Sequence, residues 1–91
     1  MKVGLYATLR GIVGDRSVEL DLPLPCTVRQ IVGQLVTRCP ALREYVLDDA
    51  GGLARHVNVF VDGRNVRWLD GIESSISAGQ AVDIFPPAAG G

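Results

Sequence analysis

Apolar and polar residues alternate strictly at the start of the chain. Val3, Leu5, Ala7 and Leu9 fall on one side; Lys2, Gly4, Tyr6, Thr8 and Arg10 fall on the other. A period of two predicts a half-buried β-strand over residues 2–10. Residues 11–16 contain two glycines and Asp15 and read as a hairpin loop. Val18, Leu20 and Leu22 then alternate with Ser17, Glu19 and Asp21, a second strand antiparallel to the first. Pro23 and Pro25 end it.

The period changes at Thr27. Thr27 followed by Gln30 is the signature of a capping box. Val28, Ile31, Val32, Leu35 and Val36 recur at the spacing of one helical face, with Arg29, Gln30, Gln34, Thr37 and Arg38 opposite. Pro40 stops the helix. Gly33 within it costs up to about 1 kcal/mol relative to alanine and calls for close packing or an approaching partner. Residues 41–47 predict a short irregular or helical turn, and residues 48–52 a solvent-exposed loop. Val57, Val59 and Val61 mark a third strand, Asp62-Gly63 a tight turn into a short strand around residues 65–67, and residues 72–76 a turn or short helical segment. Ala78-Gly79 turns the chain into a last strand, residues 81–85, with Val82 and Ile84 facing the core.

One amphipathic helix covers one apolar sheet face, so the fold class is α+β in two layers. With the first and last strands parallel at the sheet centre, joined through a crossover containing the helix, the architecture is a β-grasp, or ubiquitin-like, roll. It comprises a mixed sheet of four to five strands with one main helix packed on one face. Residues 1–87 form this domain, and residues 88–91 are expected to leave it as a flexible tail.

With 91 residues the chain is one domain, long enough to bury a core without staples. It is 47% hydrophobic and 21% charged, an ordinary globular balance, and no segment approaches the roughly 18 apolar residues of a membrane span. No apolar signal segment opens it, so a cytoplasmic protein with no membrane partner is expected. A net charge of -1 with scattered basic residues argues against a nucleic-acid partner. Cys26 and Cys39 bracket the predicted helix, which separates them by about 18 Å. That is too far for a disulfide, and they read as small, partly buried hydrophobes in a reducing compartment.

The most specific stretch is the last: Phe85-Pro86-Pro87-Ala88-Ala89-Gly90-Gly91. The prolines donate no backbone hydrogen bond and halt the strand. Gly90 and Gly91 lack Cβ atoms and form a thread of minimal cross-section. The four residues after Pro87 reach roughly 13 Å when extended. Its chemistry is the α-carboxylate of Gly91. Small-residue termini also occur as plain frayed ends, and the internal pair Gly51-Gly52 shows that adjacent glycines alone carry no message.

Residues 77–91, SAGQAVDIFPPAAGG, together with the strand order, resemble the MoaD/ThiS ubiquitin-like sulfur carriers, whose last strand runs through a proline to a terminal Gly-Gly. The likeness spans essentially the whole chain. Its departure is the turn Ser77-Ala78-Gly79-Gln80, where the family has an acidic Asp-Gly-Asp. The segment from Arg55 to Val61, with Val66-Arg67 and the preceding insert from Leu42 to Leu53, looks most like the CysO branch of cysteine biosynthesis.

The resemblance implies a protein co-substrate rather than an enzyme. An E1-like enzyme using MgATP would adenylate Gly91, and a sulfur donor would convert it to a thiocarboxylate. Ala88, Ala89 and Gly90 would enter partner active sites. The acceptor would be a pyridoxal-phosphate cysteine synthase or the large subunit of molybdopterin synthase. The carrier would bind no cofactor or metal. The alternative is a ubiquitin-like modifier conjugated to lysines through Gly91. A third reading is an interaction module with an incidental Gly-Gly end.

Other candidates are weaker. His56 lacks a triad around it and reads as a strand-edge residue. Asp48, Asp49 and Asp70 lack the spacing of a calcium loop and read as solvated. Phe60, Trp68, Phe85, Pro86 and Pro87 form a candidate docking patch, with core or edge packing the competing role for Phe60 and Trp68.

Overall fold

The computed structural model describes residues 1–86. Five strands form one mixed sheet in the order β2-β1-β7-β4-β5. Strand β1 (Lys2–Leu5) pairs antiparallel with β2 (Ser17–Glu19) and parallel with β7 (Val82–Phe85). Strand β4 (Asn58–Val61) pairs antiparallel with both β7 and β5 (Arg64–Asn65). The first and last strands are thus parallel neighbours inside the sheet, as the β-grasp reading requires. Two further short strands, β3 (Cys26–Thr27) and β6 (Ser75–Ile76), pair with each other and brace the entry to the main helix.

The main helix α2 (Val28–Arg38) begins where the sequence placed it. The Gln30 amide donates to Thr27 Oγ1 at 3.2 Å, and the Thr27 amide donates to Gln30 Oε1 at 2.8 Å. Such a cap contributes about 1 kcal/mol. Val28, Ile31, Val32 and Leu35 are buried together with Val3, Leu5, Val59, Val61, Val82 and Ile84, so one helical stripe covers one sheet face. Each such side chain contributes roughly 1.5–3 kcal/mol on burial. Gly33 lies on the exposed side with open space where a Cβ would be, so close packing within the chain does not account for it.

The start of the chain departs from the alternation. Strand β1 ends at Leu5, and residues 8–13 form helix α1 (Thr8–Val13) instead of continuing a strand or opening a hairpin loop. Ala7 turns the chain at φ 51°, and its side chain is exposed. Leu5 and Leu9 are buried, with Ile12 and Val13 packed against the core, so the apolar spacing after Leu5 serves a helix. Elsewhere β2 is shorter than predicted, the chain after Asn65 coils into a 3-10 turn (Val66–Trp68), and the segment before β7 resolves into a 3-10 turn (Gly71–Glu73) and β6. The stretch after α2 is a 3-10 turn (Pro40–Leu42) followed by helix α3 (Arg43–Val46).

Two turns hold the C-terminal strand in place. Asp62 and Gly63 both have positive φ, 50° and 81°, as a type I′ hairpin turn demands. Asp62 also binds the chain entering β7, accepting from the Ala81 amide through Oδ1 at 2.8 Å and donating its own amide to the Ala81 carbonyl at 2.8 Å. In the turn before β7, Gln80 Oε1 accepts from the Ser77 amide at 2.7 Å.

Candidate functional site

Strand β7 carries the chain to the candidate tail. Its inward residues Val82 and Ile84 are buried, while Asp83 and Phe85 face the sheet surface away from α2. Registers Gly4↔Asp83 and Asn58↔Phe85 bring Gly4, Asn58 and Phe60 onto that same outer face.

An array of side chains forms there. The Tyr6 ring stacks on Phe85, with centroids 4.1 Å apart and planes 12° from parallel. Phe60 meets Phe85 edge-on at 5.4 Å and 83°. Arg10 lies over the Tyr6 ring at 4.8 Å, and its Nε donates to the Leu5 carbonyl at 2.7 Å. The Tyr6 hydroxyl donates to Asp83 Oδ1 at 3.0 Å. This bond and the adjacent Asp83 charge raise the Tyr6 pKa above its ordinary value, with a smaller opposing effect from Arg10. Gly4 completes the array by having no side chain: a Cβ there would collide with Asp83 Oδ1.

The backbone is strained to allow this arrangement. Ala7, between Tyr6 and α1, has φ 51° and ψ -127°, and it opens the helix with no side-chain cap. Such a conformation for a non-glycine residue costs about 1–3 kcal/mol and persists only where its surroundings over-determine it. The turn at Ala7 sets Tyr6 beside Phe85 and returns Arg10 over Tyr6.

Of the candidate docking residues, Phe60 and Phe85 are brought together on the outer face, beside an open hollow lined by Asn58, Phe60, Gly63, Asp83 and Phe85. Both are partly exposed, which removes core packing as the role of Phe60. Trp68 is not in the core either: it is 85% exposed, beside exposed Leu69, in the turn after β5, and it makes no aromatic pair among the described residues. Pro86 is partly buried at the end of β7. Pro87, Ala88, Ala89, Gly90 and Gly91 lie outside the described residues.

The remaining polar candidates have local roles or stand apart. Asp48 Oδ1 accepts from the amides of Ala50 and Gly52 at 2.9 and 2.8 Å and closes its own loop. His56 is exposed ahead of β4. Both cysteines are free, and burial pushes the Cys26 thiol pKa up. No helix among the described residues is long and apolar enough to cross a membrane.

Sequence reasoning missed Tyr6, Arg10 and Gly4 as parts of this surface. The even positions at the start of the chain were a usable signal for Gly4 and Tyr6. The same alternation put Arg10 on that side, but as part of a strand; it reaches Tyr6 from helix α1 instead.

Comparison with known proteins resolves the kinship. A family model described as the ThiS family matches residues 3–91. The chain belongs to the ThiS family. Among ThiS-related proteins, it is 34% identical to small archaeal modifier protein 3 of Haloferax volcanii over 91 residues, covering 100% of this chain and 98% of that protein. It is 31% identical to the sulfur carrier protein CysO of Mycobacterium tuberculosis over 67 residues, covering 71% of this chain and 72% of CysO. The crystal structure of SAMP1 from Haloferax volcanii superposes with a TM-score of 0.85 at 32% identity, covering 99% of this chain and 97% of that one. The ubiquitin-like fold and the likeness to CysO both hold, and the kinship extends to archaeal modifiers.

Proposed function

We propose that this protein is a sulfur carrier whose C-terminal glycine, Gly91, is activated and converted to a thiocarboxylate. The observation that carries this reading is the match to the ThiS family through residue 91, on a chain whose central strand β7 leads into that segment. The relatives are small carrier and modifier proteins, and the fold supplies a platform and a strand exit.

The chemistry follows from the carboxylate. It is a poor electrophile at neutral pH, so an E1-like enzyme first joins it to the α-phosphorus of MgATP, releasing pyrophosphate. Sulfide sulfur from a donor then attacks the acyl carbon, the bond to AMP breaks, and Gly91 is left as a thiocarboxylate. Ala88, Ala89 and Gly90 carry this nucleophile into the acceptor, a cysteine synthase of the pyridoxal-phosphate class or the large subunit of molybdopterin synthase. The carrier itself supplies no cofactor. Phe60, Phe85 and Pro86 form the surface that partners grip, with exposed Trp68 as a separate apolar contact. The setting for this exchange is the cytoplasm.

A second reading is favoured by the full-length similarity to small archaeal modifier protein 3: Gly91 forms isopeptide bonds with lysines of other proteins. The same adenylate serves both. Intact-mass measurement on protein from its native host separates them. A carrier gains the difference between sulfur and oxygen, about 16 Da, whereas a modifier appears in conjugates joined through Gly91. A chain with residues 90 and 91 deleted that still replaces the full-length protein in its host defeats both readings.

A further inference from the structure

We infer that Tyr6 is a positioning residue for the reaction at the C-terminus, acting through Phe85. The inference rests on the proposed activation of Gly91. Phe85 is the last residue of β7 and immediately precedes Pro86, so its orientation sets the direction in which the backbone leaves the sheet. Main-chain pairing holds Phe85 from one side only: β4 pairs it with Asn58, whereas the β1–β7 register stops at Leu5↔Ile84, one residue short of it. The Tyr6 ring stacked on Phe85 at 4.1 Å supplies the missing restraint from the β1 side, and Phe60 supplies an edge contact from β4.

Tyr6 is itself held from two sides. Its hydroxyl is bonded to Asp83, and Arg10, anchored on the Leu5 carbonyl, lies over its ring. The strained turn at Ala7 and the absent side chain at Gly4 are both needed for this geometry. Several local departures from the easiest backbone and side-chain choices converge on one ring, and that ring touches the residue at the base of the tail. Tyr6 touches neither Gly91 nor any reacting atom. It acts by restricting the orientations of the arm's base, so that more encounters place the carboxylate correctly.

The test uses the full-length chain as substrate for the ATP-dependent adenylating activity of its native host, followed by ATP–pyrophosphate exchange. Five forms are compared: wild type, Tyr6→Leu, Tyr6→Phe, Phe85→Leu and the double variant of the two leucine substitutions, each shown folded by circular dichroism. Positioning through the stack lowers kcat in each single leucine variant by about ten- to a hundredfold, with KM little changed in Tyr6→Leu, and the double variant loses no more kcat than the worse single one. Tyr6→Phe, which keeps the ring, restores most of the rate. A rise confined to KM in Tyr6→Leu, or kcat losses that multiply in the double variant, overturns the inference and makes the two rings independent contacts. Exchange that is absent with wild type overturns the proposed activation of Gly91 itself, an outcome distinguishable from failure of the positioning role.

Discussion

Gly4 lies opposite Asp83 in the parallel pair of β1 and β7, and Asp83 Oδ1 occupies the space that a Cβ at Gly4 would fill. The carboxylate is held there by the Tyr6 hydroxyl. Gly4→Ala therefore forces Asp83 to turn away and release Tyr6. The expected loss is about 1–2 kcal/mol in urea unfolding. Because the clash is with one side chain, Gly4→Ala costs less in an Asp83→Ala background. Equal costs in the two backgrounds would place the cause elsewhere.

The same hydroxyl gives stability an alkaline limit. Bonding to Asp83 raises the Tyr6 pKa in the folded state above its unfolded value near 10. Above that value the unfolded chain has lost the phenolic proton while the folded chain retains it, so unfolding gains from rising pH. The contribution is complete below the unfolded pKa and disappears as pH climbs through the folded one. Urea midpoints measured from about pH 8 to about 11 should fall less steeply for Tyr6→Phe than for wild type. Parallel profiles would contradict the assignment.

Burial separates two large apolar residues. Leu35 is 1% exposed beneath α2, and Trp68 is 85% exposed. Leu35→Ala should cost about 2–5 kcal/mol, while Trp68→Ala should stay within about 0.5 kcal/mol. Thermal denaturation of the two variants decides this. A large loss with Trp68→Ala would mean that its ring is covered in solution.

The cysteines should differ in reactivity. Cys26 is buried and its thiol pKa is raised, which keeps it protonated and out of reach; Cys39 is only partly buried. A thiol reagent at neutral pH is expected to label Cys39 first, with Cys26 following on unfolding. Peptide mapping of the labelled protein checks the order.

Lys2 is the only lysine among the nine basic residues, and it is exposed at the start of β1. If the chain acts as a modifier, any isopeptide link between two copies runs from Gly91 of one to Lys2 of the other. Lys2→Arg should remove self-conjugates while leaving conjugates to other proteins. Self-conjugates that persist in this variant would point to another acceptor.

The helix and the core were legible because their signals are local. The capping pair Thr27 and Gln30 and the apolar stripe from Val28 to Leu35 lie within a few turns of one another, so periodicity alone identifies them. The first strand was legible only to Leu5. Leu5 and Leu9 satisfy both a period of two and a helical spacing, and the choice fell to the turn at Ala7, which no apolar pattern encodes.

By itself the sequence determined the α+β architecture, the burial of alternate residues in β1, β4 and β7, and the glycine pair at positions 90 and 91, because these depend on residue type and short-range period. Only the tertiary structure decided which surface residues meet. Tyr6 and Asp83 are 77 positions apart and become neighbours because β1 and β7 pair in parallel. Phe60 reaches Phe85 only through the antiparallel register of β4. Strand alternation tells which face a side chain takes, but the strand's neighbour and its register set what that side chain touches. Those are properties of the whole sheet.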